Sequence, residues 1–166
     1  MSSATPHPPA SRPLSPDLEV LKQFRIIFKS IRRHFDHIRE YSGLSGAQLW
    51  ALSCIKDNPC LRVSDLARAM TVHQSTASNL VEKLVSIGAI SRQKSSEDQR
   101  VTTLVVSGLG ERMLSDAPGP VQGILPNALA RMEPDTLRAL HANLEALLAV
   151  MDDLEAEAAN IPLSDI

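Results

Sequence analysis

Gln74, Ser75, Thr76, Ser78, Asn79 and Lys83 fall within ten residues of one another. All carry short or flexible side chains that donate or accept hydrogen bonds, with almost no acid among them. Amides and hydroxyls of this kind can pair with the donors and acceptors that base edges display in a DNA major groove, and a lysine can meet a phosphate. Covalent or acid–base catalysis would need a different set: a nucleophile beside a base, paired carboxylates, a glycine-rich phosphate loop or a cluster of metal ligands. None of these patterns occurs, so no catalytic residue, no metal site and no cofactor is expected, and the chain does not read as an enzyme. Further on, Lys94 and Arg100 flank a polar stretch, Ser95 to Gln99. An arginine at the tip of a hairpin can enter a narrow minor groove, where the negative potential is strongest. Asp98, two residues earlier, could hold its guanidinium by a charge-assisted hydrogen bond.

Positioning such residues requires a rigid frame, and the hydrophobic pattern supplies one. Val63 to Met70 reads as a short helix, Thr71-Val72-His73 as a tight turn, and Gln74 to Ile87 as a second helix ended by Gly88 in a left-handed conformation. Leu66, Ala67, Met70, Val72, Ala77, Leu80 and Leu84 fall on the inward positions, which leaves the polar set facing out. After Gly88 the period changes. Ala89 to Lys94 is strand-like, and the β-branched run from Arg100 to Val106 is its partner, making a two-stranded hairpin. A helix-turn-helix followed directly by a hairpin is a winged helix-turn-helix.

Helices bracket this unit. Leu21, Phe24, Phe28, Ile31, Phe35 and Ile38 recur at spacings of three and four, as do Leu137, Leu140, Leu144, Leu147, Met151 and Leu154. These are heptad seams that suit dimerisation, the second carried on a helix expected from about Glu133 to Ala158. Ser45 is placed to cap a helix from Gly46 to Lys56, and Ser107 to cap another holding Leu109, Met113 and Leu114. Leu125-Pro126 lies in a stretch without clear pattern. The expected organisation is a disordered tail over 1–16, which holds five prolines, then an N-terminal dimerisation helix over 17–42, a DNA-binding winged domain over 43–106 and C-terminal dimerisation helices over 107–166. The fold class is therefore mainly α.

Residues 44 to 115 resemble the MarR family of bacterial regulators. The resemblance rests on the helix VSDLARAM, the segment QSTASNLVEKLVSIGAISR, and the wing DQR followed by TTLVVSGLGERML. It implies an obligate homodimer with interlocked terminal helices, bound to the double-stranded DNA of a pseudo-palindromic operator. Ser75, Thr76, Ser78 and Asn79 would then touch DNA from the second helix, and Arg100 from the wing. It also implies a repressor released by a small-molecule effector bound between the dimerisation helices and the winged domain, where Tyr41, Trp50 and Cys54 could line a cavity. The pattern departs from the family's at two places: His73 stands where a capping Ser, Thr or Asp is usual, and Ser107-Gly108-Leu109-Gly110 replaces the commoner Thr-Glu-x-Gly.

Charge and composition are compatible with this reading. The net charge is only −2, yet Lys22 to Arg39 carries six bases against Asp36, and Ser107 onward carries three bases against ten acids. With aromatics at 3%, the core must be built from Leu, Ile, Val and Ala, which favours helices. The start of the chain has no apolar signal-peptide core, no run is long enough to span a membrane, and Cys54 and Cys60 are the only cysteines, so a cytoplasmic protein with reduced thiols is expected. An oxidant-sensing role for Cys54 or Cys60 and metal binding by His34 and His37 are both weaker readings than core or surface roles. The competing function is a winged-helix protein-interaction module without sequence-specific DNA binding.

Overall fold

The computed structural model describes residues 15–94 and 102–166. The proline-containing stretch expected to be a disordered tail lies, up to Leu14, outside the described residues. The elements run α1 (Pro16–Ser42), α2 (Gly46–Asp57), α3 (Val63–Met70), α4 (Gln74–Ser86), β1 (Ile90–Lys94), β2 (Thr102–Val106), α5 (Gly108–Asp116), α6 (Ile124–Ala130) and α7 (Pro134–Leu148). Two short 3-10 turns follow, Ala156–Asn160 and Leu163–Asp165. The architecture is the mainly helical winged helix-turn-helix that the sequence pattern calls for.

The helix ends follow from local chemistry. Gly43 adopts φ 70° and ends α1. Ser45 and Gln48 form a reciprocal capping box at the start of α2: the Gln48 N–H donates to Ser45 Oγ at 3.2 Å, and the Ser45 N–H donates to Gln48 Oε1 at 2.8 Å. Ser107 caps α5 by accepting from the Gly110 N–H at 3.1 Å, and its hydroxyl reaches back to the Gly88 carbonyl at 2.6 Å. The unusual Ser107 segment thus caps its helix and ties it to the end of α4. Gly110 is obligatory here, since a Cβ would lie 2.3 Å from the Ala89 carbonyl oxygen.

The core gathers α2, α3, α4 and the hairpin. Leu49, Leu52, Ile55, Leu66, Met70 and Leu84 are all at most 2% exposed, and Ile38 and Leu44 close it from the end of α1. β1 and β2 pair antiparallel with Ile90 opposite Val106 and Lys94 opposite Thr102. Leu104 is buried beneath the wing, and its N–H donates to the Leu61 carbonyl at 3.0 Å, so the hairpin is also fastened to the segment before α3.

Two expectations are corrected. The last long helix stops at Leu148 and does not continue to Ala158, so Met151 and Leu154 lie beyond it and the second seam ends at Leu147. The cause is electrostatic: α7 has no basic residue in its last turn, and Asp152, Asp153, Glu155 and Glu157 would add like charge at the negative end of the dipole. The chain leaves instead through Asp153 at φ 55°. Second, the patternless stretch around Leu125-Pro126 is helical. Gly123, at φ 100°, precedes α6, and Pro126 sits in its first turn, where a missing N–H costs nothing.

The seam on α1 is split by burial. Ile31 and Ile38 are buried, whereas Leu21 and Phe28 are 42% and 65% exposed. Phe28 lines a groove of about 1050 Å³ between α1 and α7, where Leu140, Leu144 and Leu147 form the other wall. No residue of α7 is buried. Among the described residues, no helix is long and apolar enough to cross a membrane.

Candidate nucleic-acid interface

α3 and α4 meet through a turn in which Thr71 takes a left-handed conformation at φ 54° and the Val72 N–H donates to the Ala67 carbonyl at 3.0 Å. Ala77, Leu80, Val81 and Leu84 anchor α4 in the core. Helical geometry then turns Ser75, Asn79, Glu82 and Ser86 directly outward. Ser75 and Asn79 are exposed, as are Gln74 and Lys83 to either side, while Thr76 and Ser78 are half-buried at the flanks. Gln74, Ser75 and Asn79 therefore share an accessible surface at the N-terminal end of a helix held from behind, with Lys83 in its last turn.

The start of α4 is left open. His73 makes no side-chain capping bond, and its carbonyl accepts from the Ala77 N–H at 3.1 Å. N–H groups at such a helix start are available to an anion such as a phosphate. The departure at His73 is thus real in the structure, and it leaves the front of the helix unblocked.

Glu82 is the acid on this face, and Arg92 of β1 neutralises it. The guanidinium donates to Glu82 Oε1 at 2.6 Å and holds the Glu82 carboxyl below the usual carboxylate range. Left alone, the carboxylate would repel phosphates; paired, it also links β1 to α4. Reading the sequence by helix face overlooked this couple. Its only signal was an acid on an otherwise neutral face, with a base ten residues on in the next element. Lys94 is exposed at the end of β1, opposite Thr102. Asp98 and Arg100 lie outside the described residues.

Tyr41, Trp50 and Cys54 are not brought together around one cavity. Tyr41 is 64% exposed and packs edge-on against His37. Trp50 is half-buried and lines a cavity of about 30 Å³, room for one water, with Phe35, Pro126 and Leu163. Neither Tyr41 nor Cys54 lines it. Cys54 is half-buried one turn beyond Trp50, and burial, with the Asp57 charge adding, raises its thiol to about 11. Relative to an ordinary thiol at 9.0, two pH units cut the thiolate fraction about a hundredfold. Iodoacetamide under mildly alkaline conditions is therefore expected to modify exposed Cys60 at least about tenfold faster than Cys54. Mass spectrometry of the two peptides checks this, and equal rates would contradict the burial. His34 bonds the Pro120 carbonyl through Nε2 at 2.9 Å, and among the described residues no three His, Cys, Asp or Glu side chains cluster as metal ligands.

Known proteins share this fold. The sequence profile of the MarR family matches residues 44–102. The HTH-type transcriptional repressor MdtR of Bacillus subtilis (strain 168) is 24% identical over 136 residues, covering 81% of this chain and 88% of that protein. The S. aureus MepR–DNA complex aligns with a TM-score of 0.56 at 18% identity, covering 81% of this chain and 98% of that one. Sco3205, a MarR family transcriptional regulator from Streptomyces coelicolor in complex with DNA, aligns with a TM-score of 0.55 at 19% identity, covering 81% of this chain and 91% of that one. At these identities the structural likeness is one of fold.

Proposed function

We propose that the chain, whose residues 44–102 match the MarR family, is a homodimeric, DNA-binding transcription regulator of that family that represses from a pseudo-palindromic operator. The carrying observation is the face of α4: Ser75 and Asn79 exposed at the front of a buttressed helix, with the neighbouring carboxylate of Glu82 already paired. In this reading Gln74, Ser75, Thr76, Ser78 and Asn79 meet bases and backbone in the major groove. Lys83 and Lys94 meet phosphates, and Arg100, oriented by Asp98, reaches the adjacent minor groove. Residues 17–42 and 107–166 form the dimer arm and residues 43–106 the reading domain. MdtR is a repressor by name, and MepR and Sco3205 were crystallised with DNA. The same likeness supports a cytoplasmic, non-enzymatic protein that needs no cofactor.

Release of DNA by a small molecule completes the proposal. A ligand can act only through a preference for one spacing of the two winged domains over another. Trp50 borders the junction at which such a ligand would bear on both the arm and the winged domain.

Selection of bound sequences from random duplexes tests the reading. The wild-type chain is expected to return an inverted repeat flanked by A/T pairs. Arg100→Ala is expected to keep the half-sites and lose the flank preference, because the narrow groove attracts the guanidinium. Recovery of no common sequence would favour a protein-interaction module, and an unchanged flank preference in Arg100→Ala would reduce the wing to a phosphate anchor.

A further inference from the structure

Residues 161–166 return to the winged domain, against the start of α2. After the turn at Asp153 and the 3-10 turn Ala156–Asn160, Pro162 is buried and Leu163–Asp165 form a last turn against α2. There the Ala47 N–H donates to Ser164 Oγ at 2.9 Å, across 117 residues of sequence. The bond fills a defined gap. At the start of α2 the Gln48 N–H is taken by the Ser45 side chain and the Leu49 N–H by the Ser45 carbonyl, so Ala47 depends on Ser164. The Ser164 hydroxyl donates onward to Asp165 Oδ1 at 2.8 Å, which aims its lone pairs at Ala47 and sets a carboxylate near the positive end of α2.

Gly46 is shaped for the same meeting. A Cβ there would lie 2.3 Å from the Phe35 ring and 3.0 Å from Ser164 Cβ. Without a side chain, α1, α2 and the C-terminal turn converge on one point. α2 packs in turn on α3 and α4, so the end of the chain is tied to a helix that touches the reading helix. Ser164 and Leu163 also line the groove between α1 and α7.

We propose that residues 161–166 are a strap fixing the dimer arm to the winged domain, with Ser164 as its positioning residue, and that the strap sets the separation at which the two winged domains meet DNA. The inference rests on the DNA-binding reading above. Without the strap the arm and the winged domain swing more freely, and binding to a correctly spaced operator loses the advantage of a preset geometry.

The test uses the full chain, a chain ending at Asn160, Ser164→Ala and Ser164→Thr. Amide hydrogen exchange at Ala47 reads the strap's bond, and affinity for duplexes whose half-sites are one, two or three base pairs off the best spacing reads the positioning. Ser164→Ala is expected to speed Ala47 exchange about fivefold, the equivalent of one hydrogen bond, with Ser164→Thr near wild type. Truncation is expected to weaken binding to the best-spaced operator about tenfold, a typical coupling between sites, while leaving a single half-site unchanged and flattening the spacing preference. Unchanged Ala47 exchange in both Ser164→Ala and the truncated chain would overturn the strap. Faster exchange with an unaltered spacing preference would reduce it to a helix cap and overturn the positioning role. A wild-type chain that binds no duplex would bring down the DNA-binding reading, and the positioning role with it; Ala47 exchange separates that failure from failure of the strap's bond.

Discussion

Leu144→Glu is expected to dissociate the proposed homodimer, raising its dissociation constant at least about a thousandfold, while the winged domain stays folded. Leu144 is 38% exposed on α7 and lines the groove opposite Phe24, Ile27 and Phe28 of α1. Leu18, Val20, Leu21, Ile26, Leu147 and Leu148 add to the apolar surface of the same two helices, each more than a third exposed. A monomer seldom leaves so continuous an apolar surface in water, and a second copy's helices are the occupant the proposed dimer supplies. Fully burying one leucine contributes about 1.5–3 kcal/mol, and a two-fold interface removes two at once. A carboxylate in each place adds a desolvation cost of its own. Val150→Glu is the control: Val150 is 79% exposed and does not line the groove, so its variant should remain dimeric. Sedimentation equilibrium reads the association. Fluorescence of Trp50, the only tryptophan, reads whether the winged body survives. A Leu144→Glu chain that sediments as the wild type would remove α7 from the interface.

The winged body was legible because its signals are local. The period of Leu66, Met70, Leu80 and Leu84, the switch to β-branched residues at Thr102 and the left-handed Gly88 each depend on a few neighbouring positions, and the structure follows them. The two long seams were less legible. Spacing identified Leu21, Phe28 and Leu144 as apolar stripes without revealing that they stay more than a third exposed among the described residues, because periodicity does not say which element, if any, packs on a stripe. Spacing also carried α7 past Leu148, since periodicity counts leucines and takes no account of the acids that follow them. Long-range partners left little trace. Nothing near Ser164 announces Ala47, and the lone acid at Glu82 does not by itself single out Arg92; both pairings exist only once the chain has folded back.

The reading helix should fail when its outward side chains are shortened. Ser75→Ala and Asn79→Ala are each expected to weaken operator binding by about 1–3 kcal/mol, the worth of a good base contact, and the double variant to depart from their sum, since neighbours one turn apart couple. Both side chains are exposed one turn apart on α4, and neither supports the core, so the fold should be untouched. Ser86→Ala separates reading from mere exposure. Ser86 points the same way, but it sits at the C-terminal end of α4 with its hydroxyl donating to the Lys83 carbonyl at 2.7 Å. A helix that enters the groove by its N-terminal residues should not use it, and its affinity should stay at the wild-type level. Salt dependence supplies the second axis. Loss of a base contact lowers affinity for the operator more than for random duplex and leaves the salt slope unchanged. Lys83→Ala, if Lys83 meets a phosphate, should weaken both duplexes alike and lower the slope by about one. Glu82→Gln completes the argument, because it frees Arg92 from its carboxylate and offers the guanidinium to the backbone. That variant should bind random duplex more tightly and lose discrimination. Equal affinities for wild type, Ser75→Ala and Asn79→Ala at fixed salt would show that α4 is not the reader, whatever the fold around it.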